Sequence, residues 1–295
     1  MNPVKLLLIL TLIWTSCVFP IAFAQAGRPA GQGPVPDQER RSSIHEVDGY
    51  AYLGGDKTLN QIKTEALSQA KRQALEEAGT YVSSVTDMQN FQVEFDRVWS
   101  KAEGMIRVLE QKDHGIENNR YHVWIKAEVI YGLKPRHEGA HPDALMDERA
   151  PLTVKVWTGK KTYHAGESVV VYVQGNRDFH ARIVDITSTG DIVQLLPNKH
   201  RANDFFKAGK VYQVPDAGDG FDLRVSEPYG QDRIVVYAGE SGLAEVALEP
   251  LSRGLGSFKG TKHELDVQSR GLKVVPGPGK GAGFYEAEWS FTTHP

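Results

Sequence analysis

The sequence almost lacks cysteine, since Cys17 is the only one in 295 residues. It lies in an apolar N-terminal segment, and cleavage after Ala24 would leave a mature chain with no thiol. Such a chain has no disulfide, no cysteine metal site and no cysteine nucleophile. Its core must therefore come from the burial of apolar side chains alone, and about 270 residues are ample for that.

An excess of charge of either sign is also missing. The chain has 34 basic and 37 acidic residues, which gives a net charge of -3. Nucleic-acid-binding domains usually have a basic patch and a high isoelectric point, and segments that bind anionic lipids are polybasic. The composition therefore predicts no nucleic-acid partner, and it predicts a membrane partner only if Cys17 is lipidated.

The N-terminus has the features of an export signal. One lysine, Lys5, precedes an uncharged apolar run from Leu6 to Phe19, and a small-x-small site follows at Ala22-Phe23-Ala24. This combination is typical of a secretory signal peptide. We therefore predict a signal peptide over residues 1–24 and a periplasmic or secreted protein. An uncleaved membrane anchor and a lipoprotein modified at Cys17 are the alternatives.

The rest of the chain alternates between linkers and folded regions. Residues 25–43 are rich in Gly, Pro, Gln and charge, which predicts a disordered linker. Residues 134–151 contain three prolines and many charges, and they are predicted to form a second linker. Between the two linkers, residues 44–133 are predicted to form a small α+β domain. Residues 152–293 have many short strands separated by turn residues, which predicts a β-sandwich domain.

The first domain is predicted to place two helices on a small antiparallel sheet. Its first helix has Thr58 and Gln61 at capping-box spacing, and Gly79 is expected to end it. A second helix is predicted over 87–103 from aromatic residues at helical spacing. A hairpin follows, and alternation divides its second strand, 120–133, into an apolar and a polar face. The predicted fold class is thus an α+β N-terminal domain followed by an all-β antiparallel sandwich.

Three short motifs for metal or nucleotide chemistry occur in unsuitable surroundings. Residues 137–141 read H-E-x-x-H, but zinc proteases need both histidines on one helical face, and prolines flank this segment. The glycine-rich segment 274–285 lacks the Ser or Thr that follows the lysine of a phosphate-binding loop. Residues 216–222 lack the glycine and glutamate of an EF-hand loop at the required positions. We therefore predict no cofactor, no metal site and no catalytic residue.

The segment 191–209 contains the main candidate surface. Pro197 is expected to end a strand because it cannot donate a ladder hydrogen bond, and Asn198 suits the turn that follows. The basic cluster Lys199, His200 and Arg201 has no structural role visible in the sequence. It is the predicted docking surface, with Pro197 and Asn198 as the turn beside it.

The C-terminal region, about Leu152 to Thr292, resembles the bacterial domain of unknown function 4384. The resemblance rests on "TYHAGESVVVYVQGNRDFHARIVDITSTGDIVQLLPN", on "NDFFKAGKVYQVP" and on "SEPYGQDRIVVYAGE", in that order. The family occurs alone in exported proteins, or beside enzymatic domains such as kinases and caspase-like peptidases. It has no assigned catalytic residues, so the resemblance implies none here.

The N-terminal region, about Ile44 to Leu133, is similar to a small α+β domain of the flagellar T-ring protein and of some outer-membrane lipoproteins. The similarity rests on "GYAYLGG", on the alanine-rich "EALSQAKRQALEEAG" and on "YHVWIKAEVIY". It implies a role in assembly or docking. No long ring-forming region follows in this chain.

These patterns together predict a non-enzymatic exported protein of the cell envelope, a binding or scaffolding module. Its sandwich would recognise an envelope protein or a cell-wall component, with exposed strand edges as docking sites. The alternative is a hydrolase or a small-molecule or ion sensor. The hydrolase requires a deep pocket that holds two or more of His180, His200, Asp204 and Asp222. The sequence leaves the oligomeric state open.

Overall fold

A computed structural model describes residues 38–85, 91–93, 106–135, 146–251, 254–270 and 281–295. Within these ranges the protein is mostly β. The helices are α1, Leu59–Val85, and α2, Lys262–Ser269. The strands are β1 Gln38–Tyr52, β2 Phe91–Val93, β3 Ile106–Glu117, β4 Arg120–Tyr131, β5 Leu133–Pro135, β6 Val154–Thr158, β7 Thr162–His164, β8 Val171–Gly175, β9 Phe179–Ile186, β10 Ile192–Leu196, β11 Phe205–Phe206, β12 Tyr212–Val214, β13 Gln231–Gly239, β14 Glu249–Pro250, β15 Gly256–Phe258 and β16 Ala282–His294.

One large sheet runs through both halves of the chain. Its main path is β14-β15-β10-β9-β13-β16-β1-β4-β3, with β11 paired to β9 and β7 paired to β16. All pairs are antiparallel except β7 with β16. The predicted fold class, a two-helix α+β domain followed by a separate sandwich, is therefore wrong. The N-terminal and C-terminal strands form one continuous sheet, which local sequence patterns do not reveal.

Strand β1 makes that continuity possible. It pairs with β4 along one edge and with β16 along the other, in a register from Gln38 opposite Glu288 to Ile44 opposite Ala282. Residues 38–43 were predicted to belong to a linker, and this part of the prediction is wrong. Their polar composition resembles that of a linker, but Ser42 and Ser43 are buried between neighbouring strands.

The second predicted helix, 87–103, is also corrected where the structure describes it. Phe91–Val93 forms strand β2, which pairs with Leu133–Pro135. Short apolar runs are ambiguous between helix and strand when only periodicity is available. The other residues of this segment lie outside the described ranges.

Helix α1 begins as predicted and ends later. The Gln61 side chain accepts from the Thr58 amide at 2.8 Å, and the Gln61 amide donates to the Thr58 hydroxyl at 3.3 Å, which confirms the capping box. The helix continues through Gly79 to Val85. Tyr81 and Val82 are buried in this last part. Their burial outweighs the roughly 1 kcal/mol that a glycine costs inside a helix.

One side of the large sheet, which we call the front face, is covered by α1 and by a second sheet. The alanines Ala66, Ala70, Ala74 and Ala78 of α1 are fully buried against β1 and β4. Gly49 permits this close approach, because a β-carbon there would overlap the Ala66 carbonyl oxygen. Farther along the same face, the sheet β12-β8-β6 packs on β9, β13 and β16, and their inward side chains form the largest core. This β-rich, sandwich-like layer confirms the coarser part of the prediction.

On the opposite side of the sheet, the back face, helix α2 covers β1, β13 and β16. Helix α2 places Leu265 in a core with Ile44, Tyr237 and Phe284. The sequence analysis did not predict α2, although Thr261 and Glu264 form a complete capping box whose spacing is visible in the sequence. Within the described residues, no helix has the length and apolar character needed to cross a membrane.

The predicted hairpin is confirmed. β3 and β4 pair across a turn at Asn118 and Asn119, whose positive φ angles of 47° and 62° suit a tight hairpin. The apolar face of β4 packs against α1, as alternation predicted. The polar face of β4 therefore lies on the back of the sheet.

Candidate functional site

The back of strands β1, β4 and β3 carries a dense set of aromatic and charged side chains. Because side chains alternate along a strand, the register of these three strands places one set of residues together on this side. We call this surface the aromatic face. Its residues are Glu46, Asp48, Tyr50 and Tyr52 of β1, Arg120, His122, Trp124 and Lys126 of β4, and Glu110, Lys112, His114 and Glu117 of β3.

Four of these side chains form a stack across the three strands. The rings of Tyr50 and His122 are 4.5 Å apart with an interplanar angle of 20°, and those of His122 and His114 are 4.5 Å apart at 19°. The Arg120 guanidinium lies 4.0 Å from the centre of the Tyr50 ring. Aromatic and cation–π contacts of this kind contribute roughly 0.5–1.5 kcal/mol each. The stack therefore holds its rings in fixed positions.

A second row lies beside the stack. Asp48 Oδ1 is 2.6 Å from His122 Nε2, and Asp48 is the cross-strand neighbour of Trp124. The Lys112 ammonium lies 4.6 Å from the centre of the Trp124 ring. Each ring of this surface thus has a charged hydrogen-bonding group next to it. Tyr52, at the end of β1, keeps 70% of its surface exposed.

The aromatic face has no surplus of positive charge. Four carboxylates, from Glu46, Asp48, Glu110 and Glu117, lie among three cations, from Lys112, Arg120 and the buried Lys126. Exposed ion pairs add little stability, about 0–1 kcal/mol each. The face therefore offers many donors and acceptors without the excess of cations that would attract a polyanion.

Where the aromatic face meets α2, a buried ionic cluster joins this helix to strands β4 and β16. The Arg270 side chain is fully buried, 2.5 Å from Glu128 Oε1 and 2.7 Å from Glu286 Oε2. Burial opposes the ionisation of Glu286, yet Arg40, Lys262 and Arg270 lower its pKa below the ordinary value. Burial likewise opposes the charge of Arg270, but the two glutamates raise its pKa. The cluster ties α2 to strands from both halves of the chain.

A shallow cleft opens beside this cluster. Its volume is about 260 Å³, and its lining is entirely polar or charged. Lys262 bridges the two buried carboxylates at its base, 2.6 Å from Glu286 and 3.1 Å from Glu288. The charges around the cleft are therefore already paired within the protein. The lining residues are Gln38, Glu39, Arg40, Lys262, Glu286 and Glu288.

A buried histidine lies on the front face, where β1 passes between α1 and β16. His45 Nε2 is 2.8 Å from the Ser43 hydroxyl, and its Nδ1 is 3.6 Å from Glu77 Oε2. Burial lowers the pKa of His45 to about 4. A serine, a histidine and a carboxylate in this order suggest a nucleophilic triad. Ser43 is fully buried, however, so the arrangement gives a substrate no access.

A second polar cluster lies in the same region, where α1, β1 and β16 meet. Glu240 accepts from the Tyr81 hydroxyl at 2.7 Å, from the Gly283 amide at 3.0 Å and from Arg177 at 2.9 Å. A β-carbon at Gly281 would overlap the His45 ring, and one at Gly283 would overlap the Tyr81 hydroxyl. These contacts fix α1, β1, β13 and β16 against each other, and their role is structural.

The predicted turn and docking residues lie at the end of β10. The strand ends at Leu196, and Asn198 then organises the turn: its Oδ1 accepts from the amides of His200 at 2.7 Å and Arg201 at 2.8 Å. Arg201 is only 13% exposed and lies 3.3 Å from Asp219 Oδ2. Arg201 therefore has a structural role that the sequence did not reveal. Lys199 and His200 are exposed, and the docking surface stays a prediction that concerns chiefly these two residues.

The four residues proposed for a hydrolase are distributed as follows. His180 Nδ1 lies 2.9 Å from Asp204 Oδ1 at the surface. The ring of His200 lies against Phe221, with centroids 5.7 Å apart, and Asp222 pairs with Arg224 at 3.4 Å. In the described part of the chain no group of three or more His, Cys, Asp or Glu side chains is arranged to hold a metal ion.

Several sequence features lie outside the described residues. They are the signal peptide with Cys17, the H-E-x-x-H segment 137–141 and most of the glycine-rich segment 274–285. The second predicted linker, 134–151, is described only at its ends. Its C-terminal end is held by Asn176, whose side chain donates to the carbonyls of Asp147 and Ala150.

Part of the C-terminal region matches a known protein family. Residues 162–241 match the family described as Domain of unknown function (DUF4384). This confirms the resemblance for the central part of the C-terminal region, from β7 to just beyond β13. The comparison with curated proteins finds no match. The similarity of the N-terminal region to the flagellar T-ring domain stays a prediction.

Proposed function

We propose that the protein is a non-enzymatic binding or scaffolding module of the cell envelope, exported by its N-terminal signal, and that the aromatic face is its recognition surface. The partner is an envelope protein or a cell-wall component. Export is supported by the apolar N-terminal run and its small-x-small site. The resemblance of the C-terminal region to a family found in exported proteins agrees with it.

The observation that carries the proposal is the stack of Arg120, Tyr50, His122 and His114 on the back of the sheet. Rings that are already held in place lose little conformational freedom when a partner binds, so such a surface is preorganised. Aromatic side chains and arginine are also the residue types enriched where proteins recognise partners. In the described residues, α1 occupies the opposite side of these strands.

Site-specific cross-linking in intact cells tests the proposal. A photoreactive phenylalanine analogue replaces Tyr52 in one variant and Leu251 in a control. Both side chains are exposed, and Leu251 follows β14 at the far end of the sheet. We expect the analogue at residue 52 to give one reproducible adduct with an envelope component, and the analogue at residue 251 to give none.

Two results would contradict the proposal. One is a freely diffusing monomer that forms no adduct from residue 52. The other is retention of the full-length chain in the cytoplasm with no cleavage after Ala24, which N-terminal sequencing of the purified protein detects. Identical adducts from both positions would indicate non-specific contact, and they would also refute the aromatic face as the recognition surface.

A second candidate function is a hydrolase or a small-molecule or ion sensor in the C-terminal region. The observation that favours it is the His180–Asp204 pair, with exposed Phe205 beside it. A thermal-shift screen with divalent metals and cell-wall fragments tests it. We expect a ligand of this site to raise the melting temperature of the wild type but not of His180→Gln. No shift with any compound would eliminate the sensor.

A further inference from the structure

The composition of the aromatic face narrows the kind of partner it fits. Its twelve residues comprise two tyrosines, one tryptophan, two histidines and seven charged residues, with no aliphatic side chain among them. The centre of a protein–protein interface is usually apolar and depleted in charge. A surface in which every ring has a charged neighbour does not have that character.

Resting on the function proposed above, we propose that the aromatic face binds an extended, uncharged glycan chain. Sugar rings present flat C–H faces to aromatic side chains and hydroxyl groups to charged hydrogen-bonding partners. The aromatic face supplies both in alternation. Tyr52 and Trp124 provide ring surface, while Asp48, Lys112 and Arg120 provide acceptors and donors. Hydrogen bonds to ionised groups are the stronger ones.

The charge balance favours an uncharged polymer. Four carboxylates and three cations leave no surplus of positive charge to attract a polyanion such as a nucleic acid or an anionic lipid surface. A polyanion is bound chiefly through a surplus of Lys and Arg, and that binding weakens steeply with salt. Binding of an uncharged glycan to the aromatic face has no such contribution, so it should persist at high salt.

The shape of the surface favours a chain over a small molecule. From Glu46 to Tyr52 the strand advances six residues, which corresponds to roughly 20 Å at about 3.4 Å per residue. The four β1 residues of the face recur along this length on one side of the sheet. A surface of this length offers several sugar units successive contacts. The described clefts lie elsewhere and are lined by other residues.

Isothermal titration of the mature chain tests the proposal. The probes are hexamers of β-1,4-linked N-acetylglucosamine and of β-1,4-linked glucose, and dextran provides a flexible α-linked glucan. We expect at least one of the three to bind, with an affinity that changes less than about twofold between 50 and 500 mM NaCl because no net counterion release accompanies it. Tyr52→Ala and Trp124→Ala should each weaken this binding about tenfold.

The control variants distinguish the loss of the binding surface from the loss of the folded structure. Phe205→Ala removes an exposed aromatic side chain in the C-terminal region, and its affinity should equal that of the wild type. Tyr52 is largely exposed, so Tyr52→Ala keeps the test valid even if Trp124→Ala does not fold, which circular dichroism reveals. Glycan binding that survives Tyr52→Ala and a folded Trp124→Ala would overturn the assignment of the site.

The outcomes also separate this inference from the function proposed above. No binding of any of the three glycans overturns the inference, whereas an adduct between residue 52 and an envelope protein would still support a recognition surface. Binding that falls more than tenfold at high salt would indicate a charged partner, and it too overturns the inference.

Discussion

The buried histidine His45 gives the protein a specific dependence of stability on pH. Its side chain is almost fully buried between β1, α1 and β16, and burial lowers its pKa from 6.5 to about 4. The groups nearest to its ring are the Ser43 hydroxyl, the Glu77 carboxylate and the Tyr81 ring. The folded protein therefore keeps the imidazole neutral at pH values where an unfolded chain would protonate it.

The direction of the effect follows from proton binding. Between about pH 6.5 and pH 4 the unfolded chain binds a proton at His45 that the folded chain does not, so the free energy of unfolding falls as the pH falls. A pKa difference of one unit corresponds to ~1.4 kcal/mol. The shift of His45 thus predicts a loss of ~3 kcal/mol across this window from this residue alone.

The variant His45→Gln isolates this contribution. Glutamine retains a group that can hydrogen-bond to Ser43 but does not titrate, and we expect it to destabilise the protein at pH 7.5 through imperfect packing. Urea unfolding at pH 7.5, 6.5, 5.5 and 4.5 gives the free energy of unfolding of both proteins. The difference between wild type and variant should shrink by ~3 kcal/mol towards the lowest pH. The matched control, His263→Gln, removes an exposed imidazole and should leave the curve parallel to that of the wild type.

A difference between wild type and His45→Gln that stays constant from pH 7.5 to 4.5 would refute the reasoning. It would mean that the folded protein protonates His45 as readily as the unfolded chain does. If His45→Gln is unfolded at every pH, Gly281→Ala takes its place in the experiment. The added β-carbon should displace the His45 ring, let water reach it and so reduce the pH dependence.

Three other substitutions test the packing and the buried charges. Burial raises the pKa of Asp185 from 3.8 to about 7, so Asp185→Asn should raise the free energy of unfolding by ~4 kcal/mol at pH 8, with a gain that disappears towards pH 4 in urea unfolding. Arg270→Met should cost ~3–5 kcal/mol, because it removes the cation 2.5 Å from the buried Glu128 and leaves only Arg107 at 3.6 Å; a loss below ~1 kcal/mol would show that the cluster relaxes. Gly49→Ala should cost ~1–3 kcal/mol in thermal or urea unfolding, because its β-carbon would overlap the backbone of α1, whereas Gly55→Ala, with open space around it, should be neutral; equal effects would contradict the proposed contact.

The local features of the fold could be predicted from the sequence because short-range rules determine them. The capping box at Thr58 and the turn at Asn118-Asn119 depend on residues within one turn of each other. The division of β4 into an apolar and a polar face follows from strict alternation. The same local rules could have found α2, whose capping box at Thr261 and Glu264 was overlooked.

Only part of the candidate site could be predicted from the sequence. Alternation places His122 and Trp124 on the polar side of β4, but it does not show which residues lie beside them. That depends on the register, which places Tyr50 opposite His122 and Asp48 opposite Trp124. Two strands separated by about 70 residues in the chain can be paired in many registers, and only the packing of the whole sheet selects one.

The sequence by itself determined the capped start of helix α1, the hairpin of β3 and β4 and the resemblance of residues 162–241 to a domain of unknown function. Each of these depends on neighbouring residues or on a contiguous motif. The tertiary structure decided that one sheet joins both halves of the chain and that Ser43 is buried instead of lying in a linker. The physical reason is that β1 and β16, almost 250 residues apart, satisfy each other's backbone hydrogen bonds, and a polar strand becomes buried when its neighbours supply those partners.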